Sequence, residues 1–450
     1  MFAGFSSGGV PPSGKGEMFF HYVMYEAEDV DPASAPCLIW YNGGPGSPSA
    51  FGMFQELGPL YINDDSETTA GYNTSGIPTP LRNPYTWSKR INLFAVDSPA
   101  PVGFSFCSED GPSGDGNSCG AWNDTAVFAA NRNVLVGLFT DIFPELKKNE
   151  LFIVGESYAG VYVPGIVNEI LSASGGLNLK GYAVGDGCMA SPPVNQEKLC
   201  KGPFYDIEFF GGHGQFSNEL RDNIRRDCPR DMLCTGNLTA ICTGYVTEMR
   251  KEIGAYDVYN LYDDCPTGDG GSRMRDFTNR MAAHGRTMVT GALNDYVCDG
   301  TTLPDFLTND VVKTALGVPL DDYFFSNGQF NYSEITPDTA PFHIRAVTAG
   351  LRVLAYQGDS DTIHVNSEGY LQDAFVRLWP KAGLNRTETW RPWTVDGKRR
   401  MGGYVMEWNN GQAAWLSIRG SGHMVPLNKP AQALTMINAF VFNTGYPKLE

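Results

Sequence analysis

A serine between two glycines follows an apolar segment near the middle of the chain. Residues 151–154 have the length and composition of a buried strand, and segment 155–160 then reads Gly-Glu-Ser-Tyr-Ala-Gly. A helical pattern continues over 161–171. A sharp turn from strand to helix lifts a serine hydroxyl above a sheet, and side chains in place of the glycines would crowd so tight a turn. The pattern therefore predicts that Ser157 is a nucleophile.

A serine nucleophile needs a base that accepts its proton. His423 lies in a loop of small residues, 420–426, after a predicted strand at 413–418. Loops at the carboxyl ends of strands are where α/β sheets bind ligands. His364 is the rival base, but it lies three residues after Asp361 and could rarely reach both that carboxylate and the serine. We therefore expect His423 to be the base.

An acid should orient this base. Where a serine lies on such an elbow, the acid comes between the serine and the histidine in chain order. The predicted strand at 351–357 is followed by Gly-Asp-Ser-Asp, which places Asp359 and Asp361 in that interval. Either aspartate could orient His423 while the other caps the turn. These residues alone leave the choice open.

Backbone N–H groups near the serine should stabilise the oxyanion of acyl transfer. One is the N–H of Tyr158, the residue after the nucleophile. The other should come from an earlier glycine-rich loop. Segment 40–46, Trp-Tyr-Asn-Gly-Gly-Pro-Gly, ends a predicted strand at 37–41 and fits this role, although a plain turn would have similar residues.

The elements that position these groups alternate along the chain. Predicted strands lie at 37–41, 92–96, 151–154, 181–184, 351–357 and 413–418, and predicted helices at 122–143, 367–379 and 430–442. Alternation of this kind predicts an α/β fold with a mainly parallel central sheet covered on both faces. Asp396-Gly397 and Asn410-Gly411 are hairpin signals and predict an antiparallel stretch between 390 and 415.

Residues 188–300 break this alternation. They contain all seven cysteines that follow Gly160, mixed charges and no apolar strand-like run. We expect an inserted, disulfide-rich, mostly helical cap there, between a first part of the core at 1–187 and a second part at 301–450.

Composition limits the class of protein. The chain has 450 residues and a net charge of −17, which argues against binding to nucleic acid or to an anionic membrane surface. No apolar run approaches the ~20 residues of a membrane span. Ten cysteines and sequons at Asn73, Asn123, Asn237, Asn331 and Asn385 favour the secretory pathway, in a lysosome, a vacuole or outside the cell. No signal peptide precedes the folded-looking start, and we expect that it is missing from this sequence.

At this point the chain resembles the serine carboxypeptidases, exopeptidases with the α/β-hydrolase fold. The shared motifs occur in family order over nearly the whole chain, at 40–46, 56–59, 83–87, 97–105, 155–160, 358–361 and 422–426. The resemblance implies a triad of Ser157, Asp361 and His423, and so decides between the two aspartates. It implies further contacts to substrate: oxyanion donors at Gly44 and Tyr158, a set that binds the substrate's terminal carboxylate at Asn42, Gly43, Glu56 and Glu156, and a pocket residue at Met424.

The implied carboxylate-binding set is chemically reasonable. The motifs offer no arginine for an anionic chain end. Glu56 and Glu156 cannot both ionise beside a third carboxylate, because like charges at short range are strongly disfavoured. A retained proton would let one of them donate a hydrogen bond, and Asn42 and Gly43 add neutral donors. A surface position for Glu56 and a purely conformational role for Glu156 are the alternatives.

The cysteines suggest a set of pairings. The resemblance implies Cys265–Cys298. A nested pair is also expected, with Cys228–Cys234 inside Cys200–Cys242. Cys107–Cys119 would close a surface loop, and Cys37 begins a buried strand and is expected to be a free thiol. The family's bridge to the glycine-rich loop is replaced by serine at Ser47 and Ser326, which removes a staple worth a few kcal/mol in the usual accounting.

The sequence therefore predicts a serine-type carboxypeptidase that acts on peptide or protein C-termini through an acyl-enzyme on Ser157. It would need no metal or organic cofactor and would work best at acidic pH. The alternatives are an acyltransferase on the same scaffold and a non-catalytic binding homologue. Asn42 and Glu156 favour peptide ends, and an intact triad weighs against the loss of catalysis.

Overall fold

The computed structural model describes residues 1–173, 176–188, 200, 202–263, 302–322, 324, 330–363 and 368–450. Its main strands are β1 Phe2–Gly9, β2 Met18–Tyr25, β3 Cys37–Tyr41, β4 Asn92–Val96, β5 Leu151–Glu156, β6 Leu179–Gly185, β7 Arg352–Gly358, β8 Arg386–Thr394, β9 Met401–Trp408 and β10 Ala413–Ile418. They form an 11-stranded sheet in the order β1-β2-β4-β3-β5-β6-β7-β10-β9-β8, with the short strand Phe106–Cys107 paired to β2. Two small pairs lie apart from it, Leu60–Tyr61 with Leu81–Arg82 and Trp122–Asn123 with Tyr332–Ser333.

The longer helices alternate with these strands. They are α1 Asp124–Gly137, α2 Ala159–Ser172, α3 Phe204–Gly212, α4 Asn218–Asp227, α5 Arg230–Thr235, α6 Ala240–Ile253, α7 Thr302–Leu307, α8 Asp310–Ala315, α9 Ala340–Thr348, α10 Glu368–Lys381 and α11 Pro430–Phe442. Shorter helical turns are Ser49–Phe51, Gly52–Leu57, Asp64–Glu67, Ala70–Ser75, Trp87–Lys89, Asn117–Cys119, Leu138–Ile142, Pro144–Leu146 and Val425–Asn428.

The centre of the sheet is parallel and fully covered. The six central strands, in the order β4-β3-β5-β6-β7-β10, pair in parallel with one another. Every residue of β3, β4, β5 and β10 is buried, as expected for parallel strands with helices on both faces. One hydrophobic cluster joins the sheet to α1, α2, α9 and α10, and a second joins the opposite face to α7, α8 and α11. The predicted α/β class and mainly parallel sheet are confirmed.

Both edges of the sheet are antiparallel. The predicted hairpins are present, because the Asp396-Gly397 turn joins β8 to β9, and Asn410-Gly411 joins β9 to β10. Gly397 and Gly411 have φ of 72° and 88°, the left-handed conformation such turns require. The N-terminal hairpin of β1 and β2 was not predicted as a pair of strands. β1 is rich in serine and glycine and mostly half-buried, so it lacks a clear apolar alternation.

Helices α3 to α6 pack around a hydrophobic cluster of their own, which includes Ile207, Leu220, Ile224 and Met249. This segment is mostly helical, as the sequence predicted for the cap. It is crosslinked by two disulfides. Its helix α3 contacts α10 of the core.

Two of the expected pairings in this segment are wrong. The disulfides are Cys200–Cys234 and Cys228–Cys242, instead of Cys228–Cys234 and Cys200–Cys242. Cys228 ends α4 and Cys242 lies in α6, which packs on α4, whereas Cys234 at the end of α5 lies beside Cys200. Four cysteines allow three connectivities, and only helix packing selects one.

The other cysteines follow the expectations where they are described. Cys107–Cys119 is joined, and Cys37 is a buried free thiol. Cys188 is also free and buried. Cys265 and Cys298 lie outside the described residues, so their pairing stays a prediction.

Candidate active site

Ser157 lies at the turn between β5 and α2. Its φ is 61°, in the left-handed region that L-residues rarely adopt, as expected for a strained nucleophile elbow. A Cβ on Gly155 would lie 2.5 Å from the Tyr41 carbonyl oxygen, and a Cβ on Gly160 would lie 2.5 Å from the amide nitrogen of Cys188. Both positions must therefore be glycine for the turn to fit between its neighbours.

His423 and Asp361 lie together at the same edge of the sheet. Nδ1 of His423 is 2.9 Å from Oδ2 of Asp361, and both side chains are buried. The Asp361 carboxylate also accepts hydrogen bonds from Gln357 Nε2 at 3.2 Å and from the amide of Ile363 at 3.0 Å. These bonds fix a carboxylate that can in turn hold the imidazole with Nε2 free for the serine.

Asp359 has a different environment from Asp361. Its Oδ1 accepts the amide N–H of Gly420, so it ties two loops together. The structure thus brings His423 to Asp361, the aspartate that the resemblance implied. The rival base His364 lies outside the described residues.

The glycine-rich loop after β3 touches the elbow directly. A Cβ on Gly43 would lie 2.3 Å from the amide nitrogen of Tyr158 and 2.8 Å from Cβ of Ser157. Gly44 has φ of 111°, a conformation open to glycine alone. The backbone at Gly43 therefore lies against the backbone at Tyr158, so the two loops are close enough to offer amide groups to one oxyanion.

Asn42 links two buried glutamates beside the elbow. Its Nδ2 donates to Oε1 of Glu156 at 2.8 Å and to Oε1 of Glu56 at 3.4 Å. Its Oδ1 accepts from Nε1 of Trp40 at 2.8 Å and from the amide of Gly52 at 3.1 Å. Because both of these partners are donors, the amide group of Asn42 must turn its NH₂ toward the glutamates.

Glu56 and Glu156 are each 4% exposed, and Oε2 of each has no partner among the described residues. Burial raises the pKa of Glu56 to about 7. Burial and the neighbouring Glu56 carboxylate raise the pKa of Glu156 well above its usual value. Two buried carboxyl groups side by side hold at least one proton at mildly acidic pH, which makes the pair a hydrogen-bond donor.

Glu56 reaches this position through an irregular helix. Residues Gly52–Leu57 form a π-helical turn, and a Cβ on Gly52 would lie 2.1 Å from Nε1 of Trp40. The widened turn and the close approach at Gly52 carry Glu56 into the interior next to Asn42. A surface position for Glu56 is therefore wrong.

Residues 257–263, after α6, pack on the loops that carry Asp361 and His423. This contact was not predicted from the sequence. The amide of His423 donates to the carbonyl of Tyr259 at 2.7 Å, and the two rings lie 5.2 Å apart. Oγ of Ser360 bonds Oδ1 of Asn260 at 2.9 Å. Met424, half-buried beside His423, is the N-cap residue of the short helix Val425–Asn428. No motif marks residues 257–263, so only folding could reveal their contact with the triad.

The hydroxyl of Tyr158 has its own anchor, also missed from the sequence. Buried Asp124, at the start of α1, accepts it at 2.8 Å. The same carboxylate accepts the hydroxyl of Tyr332 at 2.7 Å and the amides of Ile335 and Thr336, each at 2.7 Å. Asp124 thereby fixes the side chain that follows the nucleophile to a distant part of the chain.

Known proteins are similar to this chain in sequence and in fold. A family model described as serine carboxypeptidase matches residues 4–443. The lysosomal protective protein of Mus musculus is 30% identical over 457 residues, which cover 95% of this chain and 88% of that protein. The putative serine carboxypeptidase-like 30 of Arabidopsis thaliana is 28% identical, and the match covers 97% of this chain and 85% of that protein.

Among solved structures, a prohormone-processing carboxypeptidase from Saccharomyces cerevisiae superimposes with a TM-score of 0.69 at 17% identity. The match covers 98% of this chain and 91% of that one, and at this identity it supports the fold alone. Within the described residues, no helix has both the length and the apolar character needed to cross a bilayer.

Proposed function

The chain belongs to the serine carboxypeptidase family, and we propose that it releases C-terminal amino acids from peptides through an acyl-enzyme on Ser157. In this proposal His423 removes the serine proton and later protonates the leaving amine, while Asp361 orients the imidazole. The amides of Gly44 and Tyr158 stabilise the oxyanion. The steps require no metal or organic cofactor.

The observation that carries the proposal is the Asn42–Glu56–Glu156 cluster beside the elbow. A free chain terminus is an anion, and this cluster presents to it at least one protonated carboxyl, held in place by the amide of Asn42, without a fixed positive charge. Such a site accepts a carboxylate only while the pair holds its proton. This supports an exopeptidase that works on the acidic side of neutrality.

An acyltransferase is the second candidate, because relatives named only as serine carboxypeptidase-like include plant proteins of similar identity. Such an enzyme would use the same serine and histidine but pass the acyl group to an alcohol. A third candidate, a non-catalytic homologue, would retain the fold alone. The cluster that suits a peptide carboxylate favours the peptidase over both.

A panel of N-blocked dipeptides with mass-spectrometric detection tests the proposal. Release of a free C-terminal amino acid by the wild type, and none by Ser157→Ala, is the expected result. An activated ester supplied with an alcohol acceptor forms the second arm. Transfer to the alcohol without peptide hydrolysis would make the protein an acyltransferase, and no turnover in either arm would make it a binding protein.

We also propose that residues 188–300 are a cap inserted between core segments 1–187 and 301–450, and that the protein resides in a lysosome, a vacuole or the extracellular space. Its disulfides and the lysosomal relative support a secretory route. The sequon asparagines at Asn73, Asn237, Asn331 and Asn385 are exposed and are proposed glycan sites. The Asn123 side chain instead caps α1.

A further inference from the structure

A second pair of carboxyl groups lies behind the triad. Asp186 follows β6 and is fully buried. A carboxylate oxygen of Asp186, a carboxylate oxygen of Asp361 and a ring nitrogen of His423 all lie within 4.8 Å of one another. The backbone of Asp186 is left-handed, with φ of 47°, and its amide donates to the Tyr356 carbonyl at 2.8 Å. The strained turn thus aims this carboxyl at the acid that orients the catalytic base.

The two oxygens of Asp186 have different surroundings. Oδ1 accepts the amide N–H of Gly358 at 2.9 Å. Oδ2 is buried and has no hydrogen-bond donor among the described residues. A buried ionised oxygen without a donor is costly, whereas a protonated one can donate to a nearby acceptor. The Asp361 carboxylate, with an oxygen within 4.8 Å of a carboxylate oxygen of Asp186, is an acceptor for that proton.

The charges around Asp186 also favour a retained proton. The titratable groups that face it are Asp361 and Tyr356 from β7 and the following loop, Glu156 from the elbow, and His423 beyond Asp361. Cys188, two residues along, is a buried thiol. Burial and the Asp361 carboxylate raise the pKa of Asp186 well above its usual value.

We propose that Asp186 is a positioning residue for the triad: it stays protonated, donates a hydrogen bond from Oδ2 to Asp361, and shares one negative charge with it. This inference rests on the proposed roles of Asp361 and His423. Asp361 then has four partners, His423, Gln357, Ile363 and Asp186, which hold its carboxylate in one orientation. The added donor spreads the negative charge of Asp361 onto Asp186, so its removal should strengthen the charge that the imidazole of His423 faces.

Two substitutions separate this role from a structural one. Asp186→Asn keeps a neutral donor, and asparagine tolerates the left-handed backbone. Asp186→Gly also tolerates that backbone but removes the donor. Asp359→Asn is the matched control, since Asp359 lies on the same turn as Asp361 but bonds Gly420 instead. The assay is kcat/KM against pH for a blocked dipeptide amide, whose uncharged end avoids the titration of Glu56 and Glu156.

The expected result is that Asp186→Asn and the control keep the wild-type acid limb and activity within about threefold. Asp186→Gly should move the acid limb up by on the order of one pH unit and lower the plateau about tenfold. A downward shift of the acid limb in Asp186→Asn would mean that Asp186 is ionised and would overturn the proposal. So would a loss in Asp186→Asn as large as in Asp186→Gly, or a wild-type profile in both.

A second readout does not depend on turnover. The downfield proton resonance of His423 Nδ1–H, followed against pH by NMR, should titrate alike in the wild type and Asp186→Asn and at higher pH in Asp186→Gly. If the wild type cleaves no substrate and takes no phosphonate label, the proposed function fails, while this titration still decides the role of Asp186. Unchanged titration in the glycine variant would refute that role in an active enzyme.

Discussion

We expect Glu56 and Glu156 to make substrate binding at the site depend on pH. The pair lies under Asn42, and burial raises the pKa of Glu56 to about 7. As pH rises through this value, Glu56 loses its proton, and the pair acquires a negative charge that repels the substrate carboxylate. The KM of a peptide with a free C-terminus should therefore be flat at acidic pH and rise above neutrality.

The magnitude follows from the titration of one proton. Above pH 7, the protonated fraction of Glu56 falls tenfold for each pH unit, so KM should rise about tenfold per unit, or about 1.4 kcal/mol of binding free energy. A substrate that ends in an amide has no charge at that end. Its profile should lack this limb and follow only the deprotonation of the catalytic imidazole.

The double variant Glu56→Gln and Glu156→Gln keeps neutral hydrogen-bonding groups and removes the titration. Its KM for free-acid peptides should stay nearly constant between acidic and mildly alkaline pH. Glu145→Gln, an exposed glutamate, is the matched control and should retain the wild-type slope. The assay is steady-state hydrolysis of one blocked dipeptide in its free-acid and amide forms. Parallel profiles for the two forms, or a wild-type slope in the double variant, would refute the reasoning.

Stability gives an independent measure of the same proton. The pKa of Glu56 rises from 4.5 in the reference state to about 7 in the fold, so the folded protein binds this proton more tightly than the unfolded chain. The free energy of unfolding should therefore fall as pH rises from 4.5 through 7, by about 3 kcal/mol for this group. Glu56→Gln should remove that part of the decline in denaturant unfolding.

Three further substitutions probe the remaining roles. Ser157→Ala should abolish labelling by an organophosphonate and lower turnover on the order of 10⁶-fold, while peptide binding measured by calorimetry persists. Asp361→Asn should lower kcat by about 10⁴, whereas Asp359→Asn should lower it less than tenfold; the reverse order in steady-state assays would show that the wrong aspartate was assigned. Gly43→Ala would place a methyl 2.3 Å from the Tyr158 amide and should lower kcat/KM about 10²-fold, unlike Gly212→Ala, where nothing lies within 4 Å.

The parallel strands could be predicted because each is buried on both faces. Cys37–Tyr41, Asn92–Val96 and Ala413–Ile418 have the bounds that the apolar runs indicated, and every residue in them is buried. β1 was harder, since a half-exposed edge strand rich in serine and glycine has no such run. A strand that is buried on both faces forms an apolar run, and such a run can be recognised in a single sequence.

The site was only partly visible, for a related reason. Ser157 and His423 stand in loops directly after strands, a position that sequence can reveal. Asp186 stands in the same kind of position, in a Gly-Asp-Gly turn after a predicted strand, and that signal was available but missed. The burial of Glu56 depends on a π-helical turn, and the contact of Tyr259 with His423 depends on how the cap packs. Neither leaves a local pattern.

The two carboxyl pairs form one electrostatic unit. The charge of Asp361 contributes to the raised pKa of Glu156, and the charge of Glu156 contributes to the raised pKa of Asp186. Protonation of Glu56 and Glu156 is therefore linked to protonation of Asp186. In the described part of the chain, no lysine or arginine forms an ion pair with Glu56, Glu156, Asp186 or Asp361. Nδ1 of His423 lies 2.9 Å from Oδ2 of Asp361, so among the described residues the imidazole is the basic group in contact with this carboxylate.

This linkage has a direct consequence for substrate binding. In the proposed binding mode, a peptide carboxylate adds a further negative charge next to Glu156 and so favours proton retention by Glu56, Glu156 and Asp186. Binding of a free-acid peptide at neutral pH should therefore be accompanied by proton uptake, whereas binding of the corresponding amide should not. Calorimetry of Ser157→Ala in buffers of different ionisation enthalpy measures that uptake directly. Equal proton uptake for the free-acid peptide and its amide would mean that Glu56 and Glu156 do not face the substrate carboxylate.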